Sequence, residues 1–165
     1  MSKPRLMVVG LVAGLLVGCL TTARAADPLR VYVGTYTNGT SQGIYLLEFD
    51  PATGRLGKPV LAAEAKNPSF LALHPARPLL YAVGELGSFE GKKAGAVSAF
   101  SIDKKTGKLA LLNQQPSGGP GPCHVTVDRS GRWVLVANYS GGSVASLPIR
   151  DDGSLGNTPW LHVIM

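Results

Sequence analysis

Residues 121–155 read GPCHVTVDRSGRWVLVANYSGGSVASLPIRDDGSL. Three short runs within them, VTV at 125–127, WVLVAN at 133–138 and SVASLPI at 143–149, have the length and β-branched, apolar composition of strands. Between them lie Arg129-Ser130-Gly131, Ser140-Gly141-Gly142 and Asp151-Asp152-Gly153, residue types that reverse a chain tightly. The stretch is one four-stranded antiparallel unit: strand, turn, strand, glycine turn, strand, hairpin turn.

The unit also occurs earlier. Pro68-Ser69-Phe70-Leu71-Ala72-Leu73 aligns with Pro122-Cys123-His124-Val125-Thr126-Val127, and Leu79-Leu80-Tyr81-Ala82-Val83 with Trp133-Val134-Leu135-Val136-Ala137, both at an offset of 54. Asp50-x-x-Thr53-Gly54-x-Leu56 recurs as Asp103-x-x-Thr106-Gly107-x-Leu109, and in trimmed form as Asp152-Gly153-Ser154-Leu155. Outside residues 1–25 no segment shows a helical apolar period, so the chain reads as all-β. A repeat of about fifty residues built from four strands marks a β-propeller of four-stranded antiparallel blades. A β-sandwich with similar hairpins is the alternative, but it does not require matching turns at matching positions.

The blade register shows where the pattern starts and breaks. The first strand, RVYVGTY at 30–36, matches a second blade strand, Tyr32 against Tyr81, with no inner strand before it. The third unit is legible to Leu155, and the tail NTPWLHVIM at 157–165 shows no blade pattern. The expectation is therefore a partial propeller over residues 30–155, about two and a half blades of seven, with a non-matching tail at 156–165. Such an arc leaves an incomplete ring, because propellers need four or more blades. The chain then reads as the N-terminal portion of a longer protein, a fragment or a prematurely stopped product whose missing C-terminal blades are needed to close the ring.

Residues 1–25 are expected to be an export signal. Lys3 and Arg5 precede an uncharged apolar run at 6–20, and Ala23-x-Ala25 is a small-residue cleavage pattern. Leu16-Val17-Gly18-Cys19 also resembles a lipobox, which would leave Cys19 lipidated and the chain membrane-anchored. Both readings place the protein outside the cytoplasm, periplasmic or extracellular. The formal net charge of +6 drops by three when Lys3, Arg5 and Arg24 leave, which is no nucleic-acid footprint. Lys92-Lys93 and Lys104-Lys105 sit in turns, as solvated residues. Once Cys19 is lost, Cys123 has no disulfide or CxxC partner. A Cys123–His124 dyad is disfavoured, because neighbours on a strand point to opposite faces.

VYVGTYT (31–37), GIYLLEFDPATGRL (43–56), NPSFLALHP (67–75), LYAVGE (80–85) and, most specifically, 121–149 resemble the seven-bladed propeller lactonases, the 6-phosphogluconolactonase family of cycloisomerase-2 type. The resemblance covers residues 30–155. It implies hydrolysis of a sugar δ-lactone in carbohydrate metabolism, with a small-molecule sugar lactone as partner and no metal or organic cofactor. The family's later Pro-His-x-His segment and its basic residues are not reproduced by Pro159-Trp160-Leu161-His162. An exported chain suits a non-phosphorylated lactone better than a cytoplasmic phosphorylated one.

Lactone hydrolysis needs a base for water and donors for the oxyanion. The innermost strand starts, and the second strand ends, on one rim near the central channel. His124, in the slot that holds Phe70 one blade earlier, and Glu85 are the candidate catalytic residues. Asn138, Tyr139 and Tyr36 are the candidate substrate-binding residues. His124 as a structural histidine and Glu85 as a solvated loop carboxylate are the competing readings, and His74 before Pro75 reads as a surface turn residue. Two other functions stay open: a non-enzymatic secreted propeller that binds a partner through the same rim, and a quinone-dependent propeller oxidoreductase. The last is disfavoured because only Trp133 falls inside a repeat. This chain by itself is expected to be inactive if its ring is open.

Overall fold

A computed structural model of the chain describes residues 28–157 and 160–164. The expected signal segment, the lipobox Cys19 and Pro159 lie outside the described residues.

The described residues form three antiparallel sheets, stacked so that each buries one face against the next. The first contains β1 (Leu29–Val33), β2 (Gly43–Asp50), β3 (Arg55–Leu56) and β4 (Val60–Glu64). Both β3 and β4 pair with β2; they are two halves of one returning strand, interrupted where Pro59 lacks an N–H for the ladder. The second sheet runs in order β5 (Leu71–Leu73), β6 (Leu79–Gly84), β7 (Ala96–Ile102) and β8 (Leu109–Pro116). The third holds β9 (Pro122–Val127), β10 (Trp133–Asn138), β11 (Ser143–Pro148) and β12 (Trp160–Val163). These are the four-stranded blades read from the repeat, and among the described residues no inner strand precedes β1, in keeping with the register of Tyr32 against Tyr81.

Two boundaries differ from the sequence reading. The tail is not outside the pattern: Trp160 to Val163 pair with Ser146 to Ser143 and complete the third blade. All four of its residues are exposed. An outermost strand is held by backbone hydrogen bonds, so its side chains need show no apolar alternation. The first strand ends at Val33, three residues before Tyr36. There the chain leaves the ladder: the Thr35 hydroxyl donates to Gly43 O at 2.7 Å, and Thr37 N and Oγ1 both donate to Asn67 Oδ1.

The repeated Asp turns explain themselves chemically. Asp50 accepts from Ala52 N and the Thr53 hydroxyl, Asp103 from Lys105 N and Thr106, and Asp152 from Ser154 N and Oγ. Each carboxylate folds the chain over itself, an Asx turn, and each is held below its ordinary pKa, first by the hydroxyl or backbone donor of its Thr or Ser.

Core lies at both blade boundaries. Ile44 and Ala62 of the first sheet meet Leu80, Ala82 and Phe100 of the second. The opposite face of the second sheet, with Leu79, Tyr81, Val83 and Val97, meets Val125, Val134, Val136 and Leu147 of the third. Strand β6 is buried along its whole length because it lies mid-sheet between two blades. A polar clasp repeats at the same boundaries. Arg30 donates to the carbonyls of Lys104 and Lys105, and the Tyr32 hydroxyl to Gly107 O. One blade on, Arg77 donates to the carbonyls of Arg150 and Asp151, and Tyr81 to Gly153 O.

Candidate functional site

The rim is built at the junction between each second strand and its own inner strand. Glu85 N donates to Asn67 O at 3.0 Å, and one repeat later Tyr139 N donates to Gly121 O at 2.9 Å. Asn67 and Gly121 both sit at positive φ, 44° and 63°, a conformation open to glycine and tolerated by asparagine. The end of the second strand and the start of the inner strand therefore share a rim, as the topology demands.

Tyr36 and Glu85 meet there. The Tyr36 hydroxyl donates to Glu85 Oε2 at 2.9 Å, and the Ser69 hydroxyl donates to the same oxygen. The Glu85 carboxylate, by accepting the phenolic hydrogen, pushes the Tyr36 pKa up, and desolvation and the carboxylate's charge add to this. Cys123 stands close enough to add a further small push. Tyr36 is itself 55% exposed, so this blade-to-blade hydrogen bond lies within reach of solvent and of a ligand.

His124 is placed differently. Its ring stacks against Phe70 with centroids 4.3 Å apart at a 47° tilt, so the two residues matched by the repeat touch. Its side chain lines a concavity of about 410 Å³ together with Thr126, Leu135, Val144, Trp160 and His162. No hydrogen bond joins it to Glu85 or Tyr36 among the described residues. The neighbouring Cys123 Sγ lies 3.8 Å from Ala137 O.

Asn138 is buried, at 1% exposure, and Tyr139 is 79% exposed. The Asn138 amide donates to Ser117 O at 3.0 Å and Ser143 Oγ at 3.1 Å, while its Oδ1 has no partner. It braces the loops behind the rim, whereas Tyr139 projects from it. His74 is more than a turn residue: Nδ1 accepts from Ala76 N and Arg77 N, so Nε2 carries the hydrogen and donates to Gly131 O at 3.1 Å in the next blade.

Sequence reasoning missed Ser69 and Asn67. Asn67 ties the two blades at the rim, accepting from Thr37 and donating from Nδ2 to Glu85 O at 3.3 Å. The signal was available, since Asn67-Pro68-Ser69 aligns with Gly121-Pro122-Cys123. Among the described residues no group of three or more His, Cys, Asp or Glu could hold a metal ion, and no helix is long and apolar enough to cross a membrane.

Stacked four-stranded sheets whose strand ends bring a carboxylate and phenols to one rim define an arc of a β-propeller. The family model described as lactonase, 7-bladed beta-propeller matches residues 30–162, β12 included up to His162, and the chain belongs to that family. It is 44% identical over 124 residues to the 6-phosphogluconolactonase of Bacillus subtilis, covering 75% of this chain and 34% of that protein. It is 32% identical over 128 residues to the 6-phosphogluconolactonase of Formosa agariphila, covering 76% and 35%. The structure of the periplasmic gluconolactonase PpgL of Pseudomonas aeruginosa superposes with a TM-score of 0.74 at 34% identity, over 82% of this chain and 39% of that one. The chain thus spans about a third of the length of the curated relatives it matches.

Proposed function

We infer that this chain is the N-terminal arc of an exported sugar-lactone hydrolase. The observation that carries this is the 44% identity to a 6-phosphogluconolactonase, together with the Tyr36–Glu85 pair on the rim. The reaction would add water to the lactone carbonyl, pass through a tetrahedral oxyanion, and break the ring C–O bond to give the open hydroxy acid. His124 is assigned as the group that takes the proton from water. Glu85 accepts hydrogen bonds from substrate hydroxyls, and the proton that His124 took from water is returned to the leaving ring oxygen. Tyr36 and Tyr139 bind the sugar, and Asn138, enclosed, keeps the rim loops in place. The remaining length found in the relatives would supply further blades, the closed ring and the second wall of the site.

The apolar leader at 6–20 with Ala23-x-Ala25 supports export, and the relative named as periplasmic agrees with it. A non-phosphorylated aldonolactone fits that location best. The test is a lactonase assay, on a form carrying the remaining blades, with δ-gluconolactone and its 6-phosphate. Turnover of the unphosphorylated lactone that falls in Glu85→Gln and His124→Ala supports the reading. Unchanged turnover in both variants removes these residues from it, and no turnover of either lactone removes the activity.

A further inference from the structure

We propose that the groove between the first and second blades, beside the rim but apart from its Tyr36–Glu85 pair, binds a neutral sugar unit. The inference is independent of the lactonase reading, since the sugar held there need carry no lactone.

The groove encloses about 640 Å³, within the range of small-molecule sites. Both walls come from the first two blades. One is the end of β4 and the connection after it, with Glu64 and Lys66; the other is the β6–β7 loop, with Ser88, Phe89 and Glu90. Phe100 and Leu111 supply an apolar lining between them. The groove adjoins the rim, since Gly84 and Leu86 on either side of Glu85 line it while Glu85 does not. A further blade would pack on the outer faces of the first and third sheets, so this groove stays open in a longer chain.

Three observations point to a ligand. The first is the backbone at Glu90. Phe89 and Lys92 exchange both backbone hydrogen bonds, at 3.1 and 3.0 Å, which closes a two-residue hairpin. Glu90 and Gly91 between them lie at φ of 50° and 73°. A turn with both central residues at positive φ favours Asn, Asp or Gly at the first of them, so a glutamate there is strained. Strain of this kind collects at functional sites. The second is the grip on the loop. Gly121 N donates to Leu86 O at 2.9 Å, and Gly95 N to Gly119 O at 2.8 Å. The connector into the third blade thus holds both ends of the loop and fixes where the hairpin stands. The third is unspent polarity. The side chains of Glu64, Lys66 and Glu90 make no hydrogen bond or ion pair among the described residues, although both signs of charge line the one groove.

This set fits a sugar better than an anion. The carboxylates accept from neighbouring hydroxyls, and Lys66 donates to a ring or hydroxyl oxygen. Gln114 Nε2 is spent on the Ser98 hydroxyl at 2.8 Å, which leaves its Oε1 as a further acceptor. Half-buried Phe89 offers ring surface to the C–H face of a pyranose. Two carboxylates against one ammonium work against a phosphate.

Titration of the full chain with cellobiose, maltose and glucose 6-phosphate, read by calorimetry and by amide NMR shifts, tests this. The expected result is saturable binding of a neutral disaccharide, weaker binding of the phosphate ester, and shifts centred on Glu64, Lys66 and the hairpin at Phe89. Phe89→Ala is expected to lower the affinity about tenfold, the loss of part of an aromatic contact surface. Glu64→Gln, at an exposed position, should lower it several-fold by weakening a charged hydrogen bond. Glu90→Asn discriminates a binding loop from a purely structural one. It gives the turn a favoured residue type, so the thermal midpoint should rise while sugar affinity falls; a structural loop would gain stability and lose no affinity. The proposal is overturned by no saturable binding of either disaccharide, by tighter binding of glucose 6-phosphate, or by shifts confined to Tyr36, Glu85 and Tyr139. Binding that all three variants leave unchanged overturns it as well.

Discussion

The Tyr81 hydroxyl donates to the carbonyl of Gly153 across 3.0 Å, inside the core between the second and third blades. Tyr32 makes the same bond to Gly107, at 2.7 Å, one boundary earlier. The two tyrosines stand at matching positions of the repeat, and each reads the turn that the Asp-x-x-Thr-Gly pattern builds in the following blade. Sequence periodicity and blade stacking meet in this one contact.

Tyr81→Phe strands the Gly153 carbonyl in a buried setting. The expected loss is about 1–2 kcal/mol of unfolding free energy, the cost of an unsatisfied buried acceptor, read as a lower urea midpoint at unchanged slope. Tyr32→Phe costs less, since Tyr32 is only partly buried.

Alkaline pH probes the same hydroxyl. Burial raises the Tyr81 pKa to about 12, above its ordinary value of 10.0; Arg77 works the other way, and Asp152 adds to the rise. A raised folded-state pKa means that the stabilisation is complete below pH 10 and is lost as pH climbs from there through about 12. Denaturation between pH 8 and 12 is expected to show that decline in the wild type and a shallower one in Tyr81→Phe. Parallel curves would contradict it.

Asp128 gives the acid counterpart. It accepts from the Ser130 hydroxyl and from Ser130, Arg132 and Trp133 N–H groups, with the Ser130 hydroxyl first, and its pKa is held down at about 2. The depressed folded value makes this contribution complete above the unfolded value of about 3.8 and lost as pH falls toward 2. Asp128→Ala is expected to lower the thermal midpoint at pH 7 and to flatten the acid limb of the stability profile, which a pH series of melting curves measures.

His74 and Gly131 form a coupled pair. A Cβ added at Gly131 would lie 2.6 Å from the His74 ring, on a backbone with φ of +70°. Gly131→Ala is expected to destabilise by about 1–3 kcal/mol, from left-handed strain and the displaced ring. His74→Ala is expected to relieve part of that loss in the double variant, so a double-mutant cycle should show non-additivity.

At the rim, Glu85→Gln is expected to lower kcat by about 10–100-fold, the cost of weakening a hydrogen bond to a charged group, in the form that carries the remaining blades. Tyr36→Phe and Ser69→Ala each remove one donor to the carboxylate and should lower kcat by several-fold with the fold intact. Stopped-assay kinetics on δ-gluconolactone separates these, and an equal loss in all three would make the cluster structural.

Much of the fold was legible because its signals are local. The apolar run LLYAVG and the Asp turns act within a few residues, and the 54-residue offset made Phe70 and His124 equivalents before their contact was known. Trp160 to Val163 was not legible, because an exposed outer strand is recruited by the free edge of β11 and not by its own composition. At the site, the shared rim was readable from topology, and so was the placing of Tyr36 and Glu85 on it. The carboxylate that Ser69 and Tyr36 hold, and the burial of Asn138, were not.

The sequence by itself determined a repeating four-stranded unit, the turns that close it, and the strand ends that meet at one rim. Only the tertiary structure decided that Tyr36 bonds Glu85 across a blade boundary, that His124 turns to Phe70 instead, and that the tail joins the third sheet. Strand period and turn chemistry are fixed by neighbours in the chain. Contacts such as Tyr36 to Glu85 or Tyr81 to Gly153 join residues dozens of positions apart. They exist only once sheets stack and their faces find a common register.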